Sequence, residues 1–278
     1  MQIGIFAKTF AATSALASLA AVRRAGYTTA QFNMACLGGP SMPVSIETST
    51  TDAIAYASRE TGVSLAAVSG TYNMIHPDKA VRAAGLEKLG VLIKAAPAMG
   101  TSLVTLCTGT RNPVDQWAHH PDNTSPEAWR DLLDEMAKAI DLAEAHGIDL
   151  GIEPELANVV SSPHLARRLI DELGSPCLRI VLDPANLFER EESDRVRTIL
   201  EAAIDLLADR ITMAHAKDRG KEGDFVAAGS GVIDFSHFVR RLAAAGFNGP
   251  LITHGLTEAE APSVATFLRR TLETEELT

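Results

Sequence analysis

Cysteine is scarce in this chain of 278 residues: Cys36, Cys107 and Cys177 stand alone, in no CxxC pair. That excludes a disulfide-stapled scaffold and a thiolate zinc knuckle, and the three are read as reduced thiols of a cytoplasmic protein. Positive charge is also short. Lysine and arginine number 25 against 35 aspartates and glutamates, a formal charge of −10, which disfavours nucleic acid or an anionic membrane as a partner. No apolar run reaches the roughly 18 residues that a transmembrane helix needs. Ala11–Val22 has the look of a signal-peptide core, but it lacks a basic lead and continues into Arg23-Arg24 and Gly26, as an Ala-rich helix would. No glycine-rich phosphate cradle is found; Gly229-Ser230-Gly231 is a lone short motif that reads as a loop hinge. Linkers, low-complexity segments and shifts of composition are missing too, so residues 1–278 are expected to form one domain.

What is present is alternation. Hydrophobic residues make up 46% of the chain, enough for a sizeable core, and they fall in short runs separated by helical stretches. Gln2–Phe6, Thr28–Asn33, Ser64–Ser69, Ser102–Cys107, Ile148–Ile152, Leu178–Leu182, Arg210–Ala214 and Leu251–Thr253 read as strands. Helices are expected over Ser14–Arg24, Thr51–Thr61, Asp78–Ala96, Ser125–His146, Ser162–Leu173, Asp194–Leu207, Phe235–Ala245 and Glu258–Leu272. Their ends carry the matching chemistry: Ser125-Pro126 is an N-cap with Pro at the first helical position, and Gly26, Gly62, Gly147 and Gly246 stop helices. This strict alternation predicts an α/β fold, a single (β/α)8 TIM barrel, with a doubly wound open sheet as the alternative.

The stretch Ile148–Phe188 holds two apolar runs, each ending in a carboxylate, Glu153 and Asp183, with one amphipathic helix between them. In a parallel barrel the strand ends form the ligand-binding rim. His76, Cys107, Glu153, Asp183, His215 and His254 are therefore expected on one face, with Glu155, Asn186, Lys217 and Asp218 a few residues beyond. From 153 to 183, 215 and 254 the intervals are 30, 32 and 39 residues, one βα unit each. Two carboxylates and two imidazoles from consecutive strands suit Mn²⁺, Co²⁺, Zn²⁺ or Fe²⁺ better than Mg²⁺, which prefers oxygen. Structural readings stand beside these. Glu153 and Asp183 would cap the helices that follow or pair with Arg179, Arg210 or Lys217, and Lys217-Asp218 would form a local ion pair. Trp117 would anchor the long fourth loop or cover a sugar ring, and Cys107 would be a small buried residue.

The segments GIEPE, LDPAN, MAHAKD and TYNMIHPD make the chain resemble the sugar isomerase/epimerase group of xylose-isomerase-like barrels over essentially its whole length. Ketose 3-epimerases, hydroxypyruvate isomerases, inosose dehydratases and abasic-site endonucleases are relatives within that group. The resemblance implies a divalent ion, most often Mn²⁺, with Glu153, Asp183 and His215 as its first three ligands. At the fourth position the group usually has Glu, and this chain has His254. The group's scheme uses two glutamates on opposite faces of the substrate. By that likeness Glu153 serves as ligand and base, while His254 replaces the missing glutamate as ligand, as proton carrier, or as neither. His76, Glu155, Asn186, Lys217 and Asp218 are the substrate-binding candidates.

The function expected is a metal-dependent isomerase or epimerase acting on a small sugar or keto-polyol through an enediolate. A dehydratase with the same metal, or a non-catalytic sugar-binding barrel, are the alternatives. Abasic-site hydrolysis is disfavoured by the acidic charge and by Cys107, where that relative needs an additional histidine. The expected partners are a small carbohydrate and, by the resemblance, further copies of the chain in a homodimer or homotetramer.

Overall fold

In a computed structural model, which describes residues 1–276, strand and helix alternate except where β8 follows β7 directly. The order is β1 (Gln2–Phe6), α1 (Ala15–Arg24), β2 (Thr29–Phe32), α2 (Thr48–Thr61), β3 (Ser64–Ser69), α3 (Lys79–Met99), β4 (Leu103–Leu106) and α4 (Pro126–His146). There follow β5 (Asp149–Ile152), α5 (Pro163–Leu173), β6 (Leu178–Leu182), α6 (Ser193–Leu207), β7 (Ile211–Arg219), β8 (Phe225–Ala227), α7 (Phe235–Ala244), β9 (Pro250–Thr253) and α8 (Ala261–Glu276). Strand β1 is parallel to both β2 and β9, and β7 is parallel to both β6 and β9, so the sheet closes on itself. Closure rules out the open doubly wound sheet. The fold is a (β/α)8 barrel of eight parallel strands, since β8 alone of the nine is antiparallel.

Local chemistry explains the element boundaries. At α4, Ser125 Oγ accepts the Ala128 N–H at 3.1 Å, Pro126 fills the first helical position, and Gly147 at φ 63° ends the helix. Helix α3 runs past its expected end and carries Pro97 in its last turn. Leu92, Ile93, Ala96 and Met99 of that segment are fully buried, and this packing outweighs the N–H that proline lacks. Strands β2 and β4 are buried at every position, as expected of parallel strands covered on both faces. Ala67, Leu103, Val181, Met213 and Ile252 meet inside the barrel, while the larger core lies between sheet and helices.

One element departs from expectation near the rim. Strand β7 does not end before His215 but continues to Arg219, where it pairs with β8 as a hairpin: Lys217 opposite Ala227, Asp218 opposite Val226 and Arg219 opposite Phe225. What read as one long loop is thus partly sheet. Asp218 ties it down, accepting backbone N–H groups of Arg219, Gly229, Gly231 and Ile233 at 2.9–3.1 Å. Gly231 is needed for this approach, because a Cβ there would collide with the Arg219 carbonyl and lie 2.5 Å from Asp218 Oδ1. The Gly229–Gly231 segment is a carboxylate-bound turn rather than a hinge. Among the described residues no helix is long and apolar enough to cross a membrane, and the three cysteines are free and buried.

Replacing Asp218 with Ala should leave the four N–H groups without their acceptor and destabilise the chain by about 1–3 kcal/mol. Denaturant unfolding would measure this, and faster proteolysis within residues 219–232 would localise it; an unchanged midpoint would contradict the assignment.

Candidate metal centre and active site

Strand register brings the rim residues together. Leu182 of β6 pairs with Ala214 of β7, so Asp183 and His215 stand side by side at the next position. His215 in turn pairs with Ile252 of β9, which places His254 two residues further along the neighbouring strand. On the other side Ile152 of β5 pairs with Ile180, so Glu153 follows directly on β5. Four donor atoms converge, all within 4.8 Å of one another. His215 Nδ1 is 3.3 Å from Asp183 Oδ2 and 3.4 Å from Glu153 Oε1. His254 Nε2 is 3.0 Å from Asp183 Oδ2 and 3.1 Å from His215 Nδ1.

This geometry fits a divalent ion. Ligand bonds of about 2.1 Å place adjacent donors roughly 3.0–3.4 Å apart, depending on tetrahedral or octahedral angles. The contacts just given fall in that range. The donor set of two nitrogens and two carboxylate oxygens belongs to the borderline transition ions. Glu153, Asp183, His215 and His254 are the residues that would hold the ion.

Supporting groups aim these donors. His215 Nε2 lies 3.0 Å from Oε1 of Gln31, whose amide nitrogen donates to Ser69 Oγ at 3.0 Å and Thr105 Oγ1 at 3.2 Å. With its amide so oriented, Gln31 accepts from Nε2–H and leaves the Nδ1 lone pair of His215 facing the cluster. Asn186, almost fully buried, donates to Glu153 Oε1 at 2.6 Å and accepts from Lys217 Nζ at 2.6 Å. Lys217 Nζ also sits 2.9 Å from Asp183 Oδ2. The Asp183 carboxylate does cap the turn that follows it, through Oδ1 and the Ala185 N–H at 2.9 Å, while Oδ2 serves the cluster. Arg179 pairs with Asp149 and Arg210 with Asp209, so neither takes Glu153 or Asp183.

The electrostatics follow from burial. Desolvation alone would raise the Asp183 carboxyl, but Lys217, then His215 and His254, hold it well below the usual range. Burial pulls the His215 imidazolium down, yet Glu153 and Asp183 override it and push its pKa up to about 9. Burial and the neighbouring His215 lower His254. Glu155 is pushed up to about 7 by burial and by Glu153 beside it. Without a metal, a proton on His215 thus supplies the positive charge that these carboxylates need.

A cavity of about 820 Å³ opens above the cluster. Glu153, Glu155, Asn186, His215, Lys217 and His254 line it, together with Gln31, Lys8, Lys88 and the half-exposed rings of Trp117 and Phe225. Two candidates are placed elsewhere. His76 lines an adjoining cavity and has both ring nitrogens engaged, with the Asp78 N–H at 3.0 Å and the Pro113 carbonyl at 3.2 Å. Asp218 is committed to the hairpin turn. Cys107 is also turned aside, its thiol donating to the Tyr72 carbonyl at 3.2 Å and raised to about 12 by burial. Gln31 was not singled out from the sequence. The signal available was an amide within the buried run of β2, one residue before the strand's end.

The Xylose isomerase-like TIM barrel family model matches residues 19–271. The chain belongs to that family. Solved structures with the same fold include an L-ribulose 3-epimerase, 20% identical with a TM-score of 0.77, covering 99% of this chain and 95% of the other. A 3-keto-D-glucoside 4-epimerase from E. coli is 17% identical, with a TM-score of 0.73 and 100% of both chains covered. A D-psicose 3-epimerase from Clostridium cellulolyticum H10, solved with D-tagatose, is 16% identical with a TM-score of 0.73, covering 98% and 99%. At these identities the likeness establishes the fold. No curated protein matches the chain in sequence. Within the family, His254 stands where the resemblance leads one to expect a glutamate.

Two outcomes are expected of the isolated centre. Gln31→Leu should weaken Mn²⁺ or Co²⁺ binding by about 10–100-fold by freeing the His215 ring, measured by calorimetry; unaltered affinity would remove Gln31 from the centre. Metal affinity of the chelated protein should rise with pH up to about 9, the pH at which His215 gives up its proton, with proton release at lower pH. A flat profile between pH 6 and 8 would contradict the raised imidazole.

Proposed function

We propose that this chain is a divalent-metal-dependent isomerase or epimerase that moves a carbon-bound proton next to a carbonyl in a small sugar or keto-polyol, by way of an enediolate. The carrying observation is the convergence of Glu153, Asp183, His215 and His254, three of which (Glu153, His215 and His254) line one cavity together with Lys217, Asn186 and Glu155. The named epimerases of like fold support this reading, since their names describe keto-sugars and ketoses as what they act on. A bound ion would polarise a carbonyl and so acidify the adjacent C–H.

The residues divide the remaining work. Glu153 is partly exposed to the cavity and held at Oε1 by Asn186, which orients it to take the proton. Lys217 keeps a positive charge beside the cluster, where negative charge develops on substrate oxygen. Glu155, poised near neutrality, is able to hold or give a proton to a substrate hydroxyl. Trp117 and Phe225 offer flat apolar faces at the mouth, suited to the C–H face of a sugar.

A second reading is favoured by one observation. With His254 in place of a second glutamate, Glu153 is the one carboxylate at the cluster with access to the cavity, Asp183 being fully buried. A one-base reaction, either aldose–ketose isomerisation or loss of a hydroxyl, is then compatible with the same first step. Further copies of the chain and a cytoplasmic setting complete the proposal.

Incubation in D₂O with ketoses, keto acids and inososes, followed by NMR, tests the reading directly. Deuterium should enter at the carbon next to the carbonyl, vanish with chelator, and fall at least a hundredfold in Glu153→Gln. The product separates epimer, isomer and dehydrated ketone. Sugar binding with bound metal but no exchange on any substrate would make the barrel a binding protein instead.

A further inference from the structure

The chain holds seven lysines, and three of them, Lys8, Lys88 and Lys217, line the one cavity above the metal cluster. That concentration of cationic side chains is unexpected in a protein of net charge −10. Lys217 belongs to the cluster and is paired with Asp183. Lys8 and Lys88 differ: among the described residues no carboxylate forms an ion pair with either. Lys8 sits in the short turn Ala7–Thr9 directly after β1, and Lys88 on α3 after β3.

Barrel geometry gives their position meaning. In a closed eight-stranded barrel the first strand lies across from the fifth and the third across from the seventh. Glu153 follows β5 and His215 lies on β7, so Lys8 and Lys88 reach the cavity from the opposite side of the mouth. The charges complete the picture. A divalent ion would match Glu153 and Asp183, and Lys217 would offset Glu155, the other carboxylate lining the cavity. Among the described residues Lys8 and Lys88 are left with two positive charges and no carboxylate paired to them.

We propose that the cavity takes a substrate carrying an anion, a phosphate monoester or a carboxylate, at the end remote from the metal cluster, with Lys8 and Lys88 as its receptors. This rests on the reading of the cluster as the reacting end. A polyhydroxy carbonyl compound placed with its carbonyl at Glu153 extends across the mouth toward these two ammonium groups. Trp117, which lines both this cavity and the one beside it, borders the path along with Lys88. Two lysines at the mouth act as point charges that a tetrahedral dianion or a carboxylate satisfies equally in sign. Such an arrangement also gathers an anionic substrate out of the repulsive field of an acidic protein.

Inorganic phosphate and acetate, titrated by calorimetry into metal-free protein, test the receptors without any turnover or sugar. Phosphate or acetate should bind the wild type in a salt-sensitive way. Lys8→Gln and Lys88→Gln should each weaken it about tenfold. The double variant should abolish it, and Lys8→Arg with Lys88→Arg should restore it. A preference for phosphate assigns the monoester, and one for acetate the carboxylate. In the metal-loaded protein, D-fructose 6-phosphate or D-fructuronate should then bind at least tenfold more tightly than D-fructose, the ratio falling toward one in the double variant. Equal binding of phosphate and acetate by wild type and double variant, or no binding by either, overturns the proposal. Deuterium exchange on a neutral ketose, were it seen alongside that result, would leave the proton-transfer reading standing on its own.

Discussion

The rim of this barrel is organised by one buried charge. Asp183 ends β6 with no solvent exposure at all. An ionised carboxylate so placed costs several kcal/mol unless cations and N–H donors surround it. Lys217, His215, His254 and the Ala185 N–H do so. Each partner needs support in turn: Asn186 holds Lys217 and Glu153, and Gln31, fixed by Ser69 and Thr105, holds His215. The network reaches from β2 to β9, and satisfying one carboxylate sets the positions of the rest. The same contacts define donors at ion-binding spacing, so a metal would enter a centre already aimed.

That arrangement depends on closure of the sheet. The cluster needs β6, β7 and β9 in adjacent register, and β9 reaches β7 only because it is also seated against β1. An open sheet with the same elements would leave an edge where His254 now meets His215. The hairpin adds a wall. Lys217 and Arg219 each lie 4.1 Å from the Phe225 ring, so the strand carrying the buried lysine is clasped by an aromatic from β8. Asp218, the residue after Lys217, spends its carboxylate on the backbone N–H groups that hold the hairpin and its turn in place.

Much of this was legible along the chain because it depends on local order. Apolar runs of strand length, capped helices and glycine stops gave the alternation, and a parallel barrel places every strand end on one rim. Glu153, Asp183, His215 and His254 were therefore found together. Their neighbours Asn186, Lys217 and Glu155 were found because they follow those strands within a few residues. His76 had the same credentials, a histidine after a strand, yet its ring is spent on Asp78 and Pro113. Sequence position does not reveal which way a loop side chain turns. Gln31 and Lys8 escaped notice because their importance comes from partners 184 residues away, in the first case, and from the opposite barrel wall in the second.

By itself the sequence determined the number and order of elements, the family to which they belong and the donor types that a metal would meet, because periodicity and residue chemistry are properties of short stretches. Tertiary structure alone decided that the sheet closes, that β7 runs on into a hairpin, and that Asp218 binds the hairpin turn while Lys217 pairs with Asp183. It also decided that Lys8 and Lys88, with no ion-pair partner among the described residues, line the same cavity as Glu153, His215 and His254. These are matters of which distant groups come within a few ångströms, and Coulomb energy and hydrogen bonding act on that distance rather than on separation along the chain.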